Sequence, residues 1–203
     1  MFRSMKSCAR ARACVVVLMS LGLPALATAP AGATDANRCV SVNGVTLVQI
    51  GTATCVTTPS TGTLPNIAIA SGDLSFAAAH TGDNNQARAT GPGSRATAAR
   101  GDNNTATAIG SHNDAAAVFS DRGTATATGT NNFARASLGS NDTATASGAN
   151  NSADAGQGDN NTATAVGANS TADASQGDGN TALAHGGCTA FAVSGSNLTV
   201  SCP

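Results

Sequence analysis

Gly101-Asp102-Asn103-Asn104-Thr105-Ala106-Thr107-Ala108-Ile109 is one unit of a sentence that recurs thirteen times between Thr63 and His185. Units of nine residues begin at Thr63, Gly82, Gly101, Ser120, Gly139, Gly158 and Gly177, and units of ten begin at Gly72, Gly91, Gly110, Gly129, Gly148 and Gly167. The two lengths alternate without a gap, so the pattern closes every 19 residues. Each unit divides into a turn and a strand. Gly, Asp and Asn suit turns, because Gly and Asn tolerate positive φ and Asx side chains bond their own backbone. Thr105-Ala106-Thr107-Ala108-Ile109 alternates with period two, which sends alanines to one face and threonines to the other and excludes a helix.

Positions 6 and 8 are alanine in every unit, 26 in all. Two units therefore make one coil of two strands and two turns. Coils stacked in parallel place each residue over its equivalent 19 positions earlier, at roughly 4.8 Å per coil. The sequence predicts an all-β fold: a parallel β-solenoid, or β-roll, whose two sheets face each other through methyl groups and whose core is thin. Methyl burial is small beside the entropy of ordering such a chain. Continuous backbone ladders and stacked Asn and Thr side chains must supply most of the stabilisation.

Composition agrees. Trp and Tyr are absent and Phe occurs five times in 203 residues, so a core of large interlocking side chains is excluded. The first 33 residues read as a secretory signal: Arg3, Lys6, Arg10 and Arg12 precede an apolar run from Val15 to Leu23, and Ala31-Gly32-Ala33 offers a cleavage site before Thr34. That run is too short to span a bilayer and no second one follows, so no transmembrane segment is expected after cleavage. Cys8 and Cys14 leave with the signal. Beyond it the charges are eleven Asp and six Arg, with no Glu and no Lys. This balance lacks the basic footprint of a nucleic-acid binder.

Four cysteines lie outside the repeat, and an oxidising compartment would pair Cys39 with Cys55 and Cys188 with Cys202. Each pair brackets an expected hairpin cap, one in residues 34–62 around Asn43-Gly44 and one in residues 186–203 around Ser194-Gly195-Ser196-Asn197. Such covers protect the exposed sheet edges of an array spanning residues 63–185.

The rhythm Asn160-Asn161-Thr162-Ala163-Thr164-Ala165-Val166-Gly167-Ala168-Asn169-Ser170-Thr171-Ala172 resembles the head repeats of trimeric autotransporter adhesins. The resemblance covers residues 63–185. It implies a left-handed parallel β-roll, a homotrimer and adhesion to host matrix or cells. The large apolar residues form no long stripe of the kind trimer packing uses, which keeps a monomer open beside the homotrimer.

The most regular exposed feature is a ladder of Thr105 and Thr107, Thr124 and Thr126, Thr143 and Thr145, and Thr162 and Thr164. It is a candidate ligand face and is similar to the ice-binding face of solenoid antifreeze proteins, although Thr also suits any exposed pleated surface. Asp83, Asp102, Asp121, Asp159 and Asp178 recur at position 2. They invite comparison with the calcium-binding nonapeptides of secreted toxins, but position 6, where that pattern carries Asp, is alanine throughout. His80, His112 and His185 fall in different registers and share no metal site. No nucleophile stands beside a base in a recognisable motif, so no catalytic residue and no cofactor are expected. The functional expectation is a secreted, non-catalytic structural or adhesion protein of the envelope or extracellular space with an unidentified protein or surface ligand. A ligand-ordering surface for ice or calcium is the alternative.

Overall fold

The computed structural model describes residues 37–203, and the signal-sequence expectation falls outside them. The chain is a parallel β-solenoid built from two sheets. The first sheet contains β1 (Arg38–Val42), β2 (Val45–Ile50), β4 (Ile67–Ser71), β6 (Gln86–Thr90), β8 (Thr105–Ser111), β10 (Thr124–Thr130), β12 (Thr143–Ala149), β14 (Thr162–Ala168), β16 (Thr181–His185) and β18 (Thr199–Cys202). The second contains β3 (Thr54–Thr57), β5 (Phe76–His80), β7 (Arg95–Ala99), β9 (Asp114–Val118), β11 (Phe133–Ser137), β13 (Ser152–Gly156), β15 (Thr171–Ser175) and β17 (Thr189–Val193). From β2 onward successive strands alternate between sheets, and parallel neighbours are one coil apart.

The register is the one the repeat dictates. Thr105, Thr124, Thr143 and Thr162 stand on consecutive rungs, as do Ala106, Ala125, Ala144 and Ala163. In the second sheet Ala115, Ala134, Ala153 and Ala172 align in the same way. Positions 6 and 8 point inward, and nearly all of those alanines are fully buried. The two sheets of the array therefore face each other through alanine methyls.

Close stacking also explains the leading glycine. At Gly110 and Gly129 φ is +117° and +113°, and a Cβ there would collide with the carbonyl oxygen of the equivalent glycine one coil on. Only glycine meets both conditions. Position 3 lies in the left-handed region as well, with φ between 54° and 61° at Asn84, Asn103, Asn141 and Asn160, which accounts for the preference for Asn there.

The two ends differ from each other. At the N-terminal end β1 and β2 form the expected hairpin through Asn43 and Gly44, whose φ values of 51° and 86° suit a tight two-residue turn. β1 then runs antiparallel to β4, while β3 joins the second sheet parallel to β5. The C-terminal end corrects the sequence expectation, since β17 and β18 are not a hairpin. β17 pairs parallel with β15 and β18 pairs parallel with β16, so they form one more coil. The reason is legible in Ala190 and Ala192, which repeat the buried pair of the array and continue its core. The step to this last coil is 18 residues, as in Thr171 opposite Thr189, and the shortened turn disguises it.

Both disulfides form as expected, Cys39 with Cys55 and Cys188 with Cys202. Cys39 lies on β1 and Cys55 on β3, so the first bond ties the two sheets together across the core. The second ties the residue before β17 to the end of β18.

Candidate functional site

The corners of the coil hold its buried polar groups. Position 4 is Asn, Ser or Asp in twelve of the thirteen units, and these side chains turn inward and are almost wholly buried. Asn132 shows how they are satisfied. Its Nδ2 donates to the carbonyls of Thr128 and Gly148, both at 2.8 Å, and its Oδ1 accepts the N–H of Asn151 at 2.9 Å. Asn113 and Asn151 repeat the arrangement one coil away on either side. A buried amide that both donates and accepts along the coil axis is what a core of methyl groups cannot provide. The sequence reading assigned Asn to turns and missed this internal ladder. The signal was the recurrence of a small polar residue one position before the strand, Asn in eight of the thirteen units.

Asp at position 2 has a related task on the outside of the turn. The Oδ1 atoms of Asp102, Asp121, Asp159 and Asp178 each accept a backbone N–H from the preceding coil at 2.8 Å. These carboxylates, candidates for calcium, are engaged in turn hydrogen bonds. Among the described residues no group of three or more His, Cys, Asp or Glu is placed to hold a metal ion. His80, His112 and His185 lie in separate coils. Burial, together with the nearby Arg100 guanidinium, holds the His80 imidazole below its ordinary pKa.

The candidate threonines occupy the outer face of the first sheet. Thr105, Thr124, Thr143 and Thr162 form one row, and Thr107, Thr126, Thr145 and Thr164 form a second. All eight are half-buried by their neighbours, and none of their hydroxyls is hydrogen-bonded to the protein. Gln86 and Arg88 precede the two rows; the second ends where Leu183 follows Thr164, while the first continues through Thr181 to Thr199. Rungs are about 4.8 Å apart and the two rows about 7 Å apart, as the parallel ladder and the two-residue strand repeat require. The result is a regular grid of hydroxyl and methyl groups in register.

The outer face of the second sheet is chemically mixed. Arg95 stacks over Phe76, with 5.5 Å from the guanidinium carbon to the ring centroid, and Arg100 lies over Phe119 at 4.4 Å. Arg135 Nε is 3.6 Å from Asp154 Oδ1. Asp154 and Asp173 stand on adjacent rungs. Burial raises the pKa of Asp154; Arg135 opposes the rise and Asp173 adds to it. Burial likewise raises that of Asp114, with Arg95 offsetting it. Two open hollows flank Phe119, one of about 180 Å³ lined by Val118, Phe119, Arg135, Ser137 and Leu138, the other of about 380 Å³ bounded by Arg100, Ser120, Asp121, Gly139 and Ser140. Ser120 Oγ donates inward to Asn104 Oδ1, away from any base.

The class this geometry defines is a disulfide-stapled, small-residue parallel β-solenoid with chemically distinct outer faces. No protein-family model, curated protein or solved structure significantly matches the chain.

Proposed function

We propose that the protein is a secreted, non-catalytic display scaffold of the extracellular space or cell envelope, acting through adhesion or another surface interaction. The observation that carries this reading is the division of the coil. Its interior is occupied by alanine methyls and corner amides, while Arg, Asp, Phe and Thr vary across the two outer faces. Chemistry that can distinguish one partner from another is therefore all on the outside. Two disulfides fit an oxidising compartment. The test is saturable binding of the oxidised protein, secreted from the full chain, to cells and to a panel of matrix components. Binding that saturates and is competed by unlabelled protein supports the reading; absence of saturable binding across the panel rejects it.

A second reading rests on the threonine grid. Eight hydroxyls in strict register, none of them bonded to the protein, form a surface able to order water. It predicts thermal hysteresis in freezing solutions of the wild type, abolished by the double substitution Thr126→Tyr and Thr145→Tyr, which breaks the plane without touching the core. A wild type with no hysteresis excludes ice binding.

A further inference from the structure

The N-terminal end of the first sheet carries an apolar surface that the solenoid itself does not use. β2 is the last strand on that side. All six of its residues are exposed, including Val45 (58%), Leu47 (54%), Val48 (36%) and Ile50 (52%). The strand registers extend this edge into a face. Val45, Val42 and Ile67 form one row across β2, β1 and β4, and Val48, Val40 and Ile69 form the next. On β6 the same rows continue as Gln86 and Arg88, so the apolar patch ends abruptly there. No ionisable side chain other than the two disulfide-bonded cysteines lies between Arg38 and Asp73.

Edge strands of monomers are ordinarily protected by charge, Pro or a cover. β2, Val-Thr-Leu-Val-Gln-Ile, carries no charge and no Pro, and no described residue covers its outer edge. One irregularity, between Val40 and Ser41, leaves Leu47 as the extra residue of a bulge. The opposite edge of the same sheet is different: β18 is four residues long, ends at the disulfide-bonded Cys202 and turns Thr199 and Ser201 outward.

We propose that this end of the solenoid is the contact surface for a second copy of the chain, with β2 of one copy pairing antiparallel to β2 of the other about a two-fold axis. Three features select this occupant. An antiparallel strand is complementary to itself under a two-fold rotation, so the contact closes at two copies and does not propagate. The chain beyond residue 33 is acidic, with eleven Asp against six Arg, so two copies meet with least repulsion at an end free of charged side chains; residues 39–72 and 179–203 both qualify, and the exposed Val, Leu and Ile of β2 favour the first. Charge also disfavours an anionic membrane as the occupant, because no lysine lies beyond Lys6 and the patch is flanked by two arginines, Arg38 and Arg88, rather than by a basic cluster. The four exposed side chains of β2 offer on the order of 300 Å² per copy. Edge-to-edge pairing buries part of this together with the β2 backbone, below the ~1,200 Å² lower bound of specific interfaces, which corresponds to a weak, reversible dimer.

Sedimentation velocity over a concentration series tests this, using oxidised protein secreted from the full chain. The expected result is a mass that doubles with concentration. Val48→Lys and, separately, Val45→Lys hold the protein monomeric, whereas Ser201→Lys on the opposite edge leaves the dimer intact. Unchanged circular dichroism and melting temperature in the two β2 variants establish that they fold. Amide exchange in residues 45–50 slows on dimerisation, while that in residues 199–202 does not change. A wild type that stays monomeric throughout overturns the proposal, and so does a dimer that survives both β2 substitutions. A monomer that instead co-floats with vesicles of acidic phospholipid overturns it in favour of a lipid surface.

Discussion

Two columns of buried position-4 side chains run up the corners of the solenoid, and only one of them is continuous. The corner of the ten-residue units carries a polar side chain on every rung, Ser75, Ser94, Asn113, Asn132, Asn151 and Ser170, and its three Asn each accept the next backbone N–H and donate to backbone carbonyls. The corner of the nine-residue units runs Asn66, Asn85 and Asn104 and then breaks into Gly123 and Asp142 before resuming at Asn161 and Asn180. At the break the roles of two positions are exchanged. Position 1, glycine in every other unit except the first, becomes Ser120, whose hydroxyl fills the space left by the missing Gly123 side chain. One coil on, Asp142 Oδ2 stands near Gly139, where other units place an amide Nδ2, and it has no hydrogen-bond partner. The core thus tolerates a lost side chain when a neighbour replaces its volume and its bond. It is less well served by a carboxylate where the surroundings offer only acceptors.

The largest effect is expected from breaking the intact column. Asn132→Ala removes three donated bonds, to Asn113 Oδ1 and to the carbonyls of Thr128 and Gly148, and one accepted bond, which leaves the buried N–H of Asn151 without its partner. A loss of about 3–5 kcal/mol follows from unsatisfied buried polar groups. It is read as a lower denaturant midpoint at unchanged slope. A change below about 1 kcal/mol would mean that the ladder fills space but does not hold the coils together.

Sharpening the broken column gives the second effect, and it depends on pH. Burial pushes the Asp142 carboxyl up from 3.8 to about 6; the N–H of Asn161 opposes the rise, and Asp159 and Asp178 add to it. The folded chain therefore keeps a proton that the unfolded chain has lost at pH values between those two. Stability falls as pH rises through that window, with the full penalty present above about 6 and none below about 4. At 1.36 kcal/mol per unit the penalty is up to about 3 kcal/mol. Asp142→Asn restores the donor and carries no charge, so it stabilises by roughly that amount at pH 7.5 and by little at pH 4. Equal stabilisation at both pH values would assign the gain to packing and leave titration with no part in it.

This contrast also separates what the sequence discloses from what it conceals. The coil was legible because Ala106 and Ala108 have counterparts in all thirteen units, and methyl-to-methyl packing permits no other spacing. Local disulfide pairing was legible because the array separates the two cysteine pairs. The corner ladder was not, since Asn103 and Asn104 are the same residue type side by side. Backbone conformation alone sends the first outward with φ of 60° and buries the second. β17 and β18 were concealed by turn chemistry: Ser194-Gly195-Ser196-Asn197 has hairpin composition, yet Ala190 and Ala192 commit the segment to the core. On the candidate face, alternation gave the outward direction of the threonines. The absence of any protein partner for their hydroxyls depends on what surrounds each strand, which no periodicity reports.

The outer face of the second sheet should respond least, and Arg135→Ala tests how far it differs from the corners. Arg135 and Asp154 are 3.6 Å apart with a little over a third of each side chain exposed, and Arg135 Nε also donates to Ser137 Oγ at 2.8 Å. Water screens such a pair, so its removal should change stability by less than about 1 kcal/mol, and by less still at high salt. Titration should be more sensitive than stability. Arg135 is the nearest cation holding down a carboxyl that burial and the adjacent Asp173 both push upward. Its loss should move the Asp154 pKa further up, which NMR titration of the side-chain carboxyl carbon can follow. A small stability change with a clear upward shift would show that charge on this face sets protonation without holding the fold. A stability loss as large as that of Asn132→Ala would show that the outer face shares the structural work of the corner ladder, and the division between interior and display surface would fail.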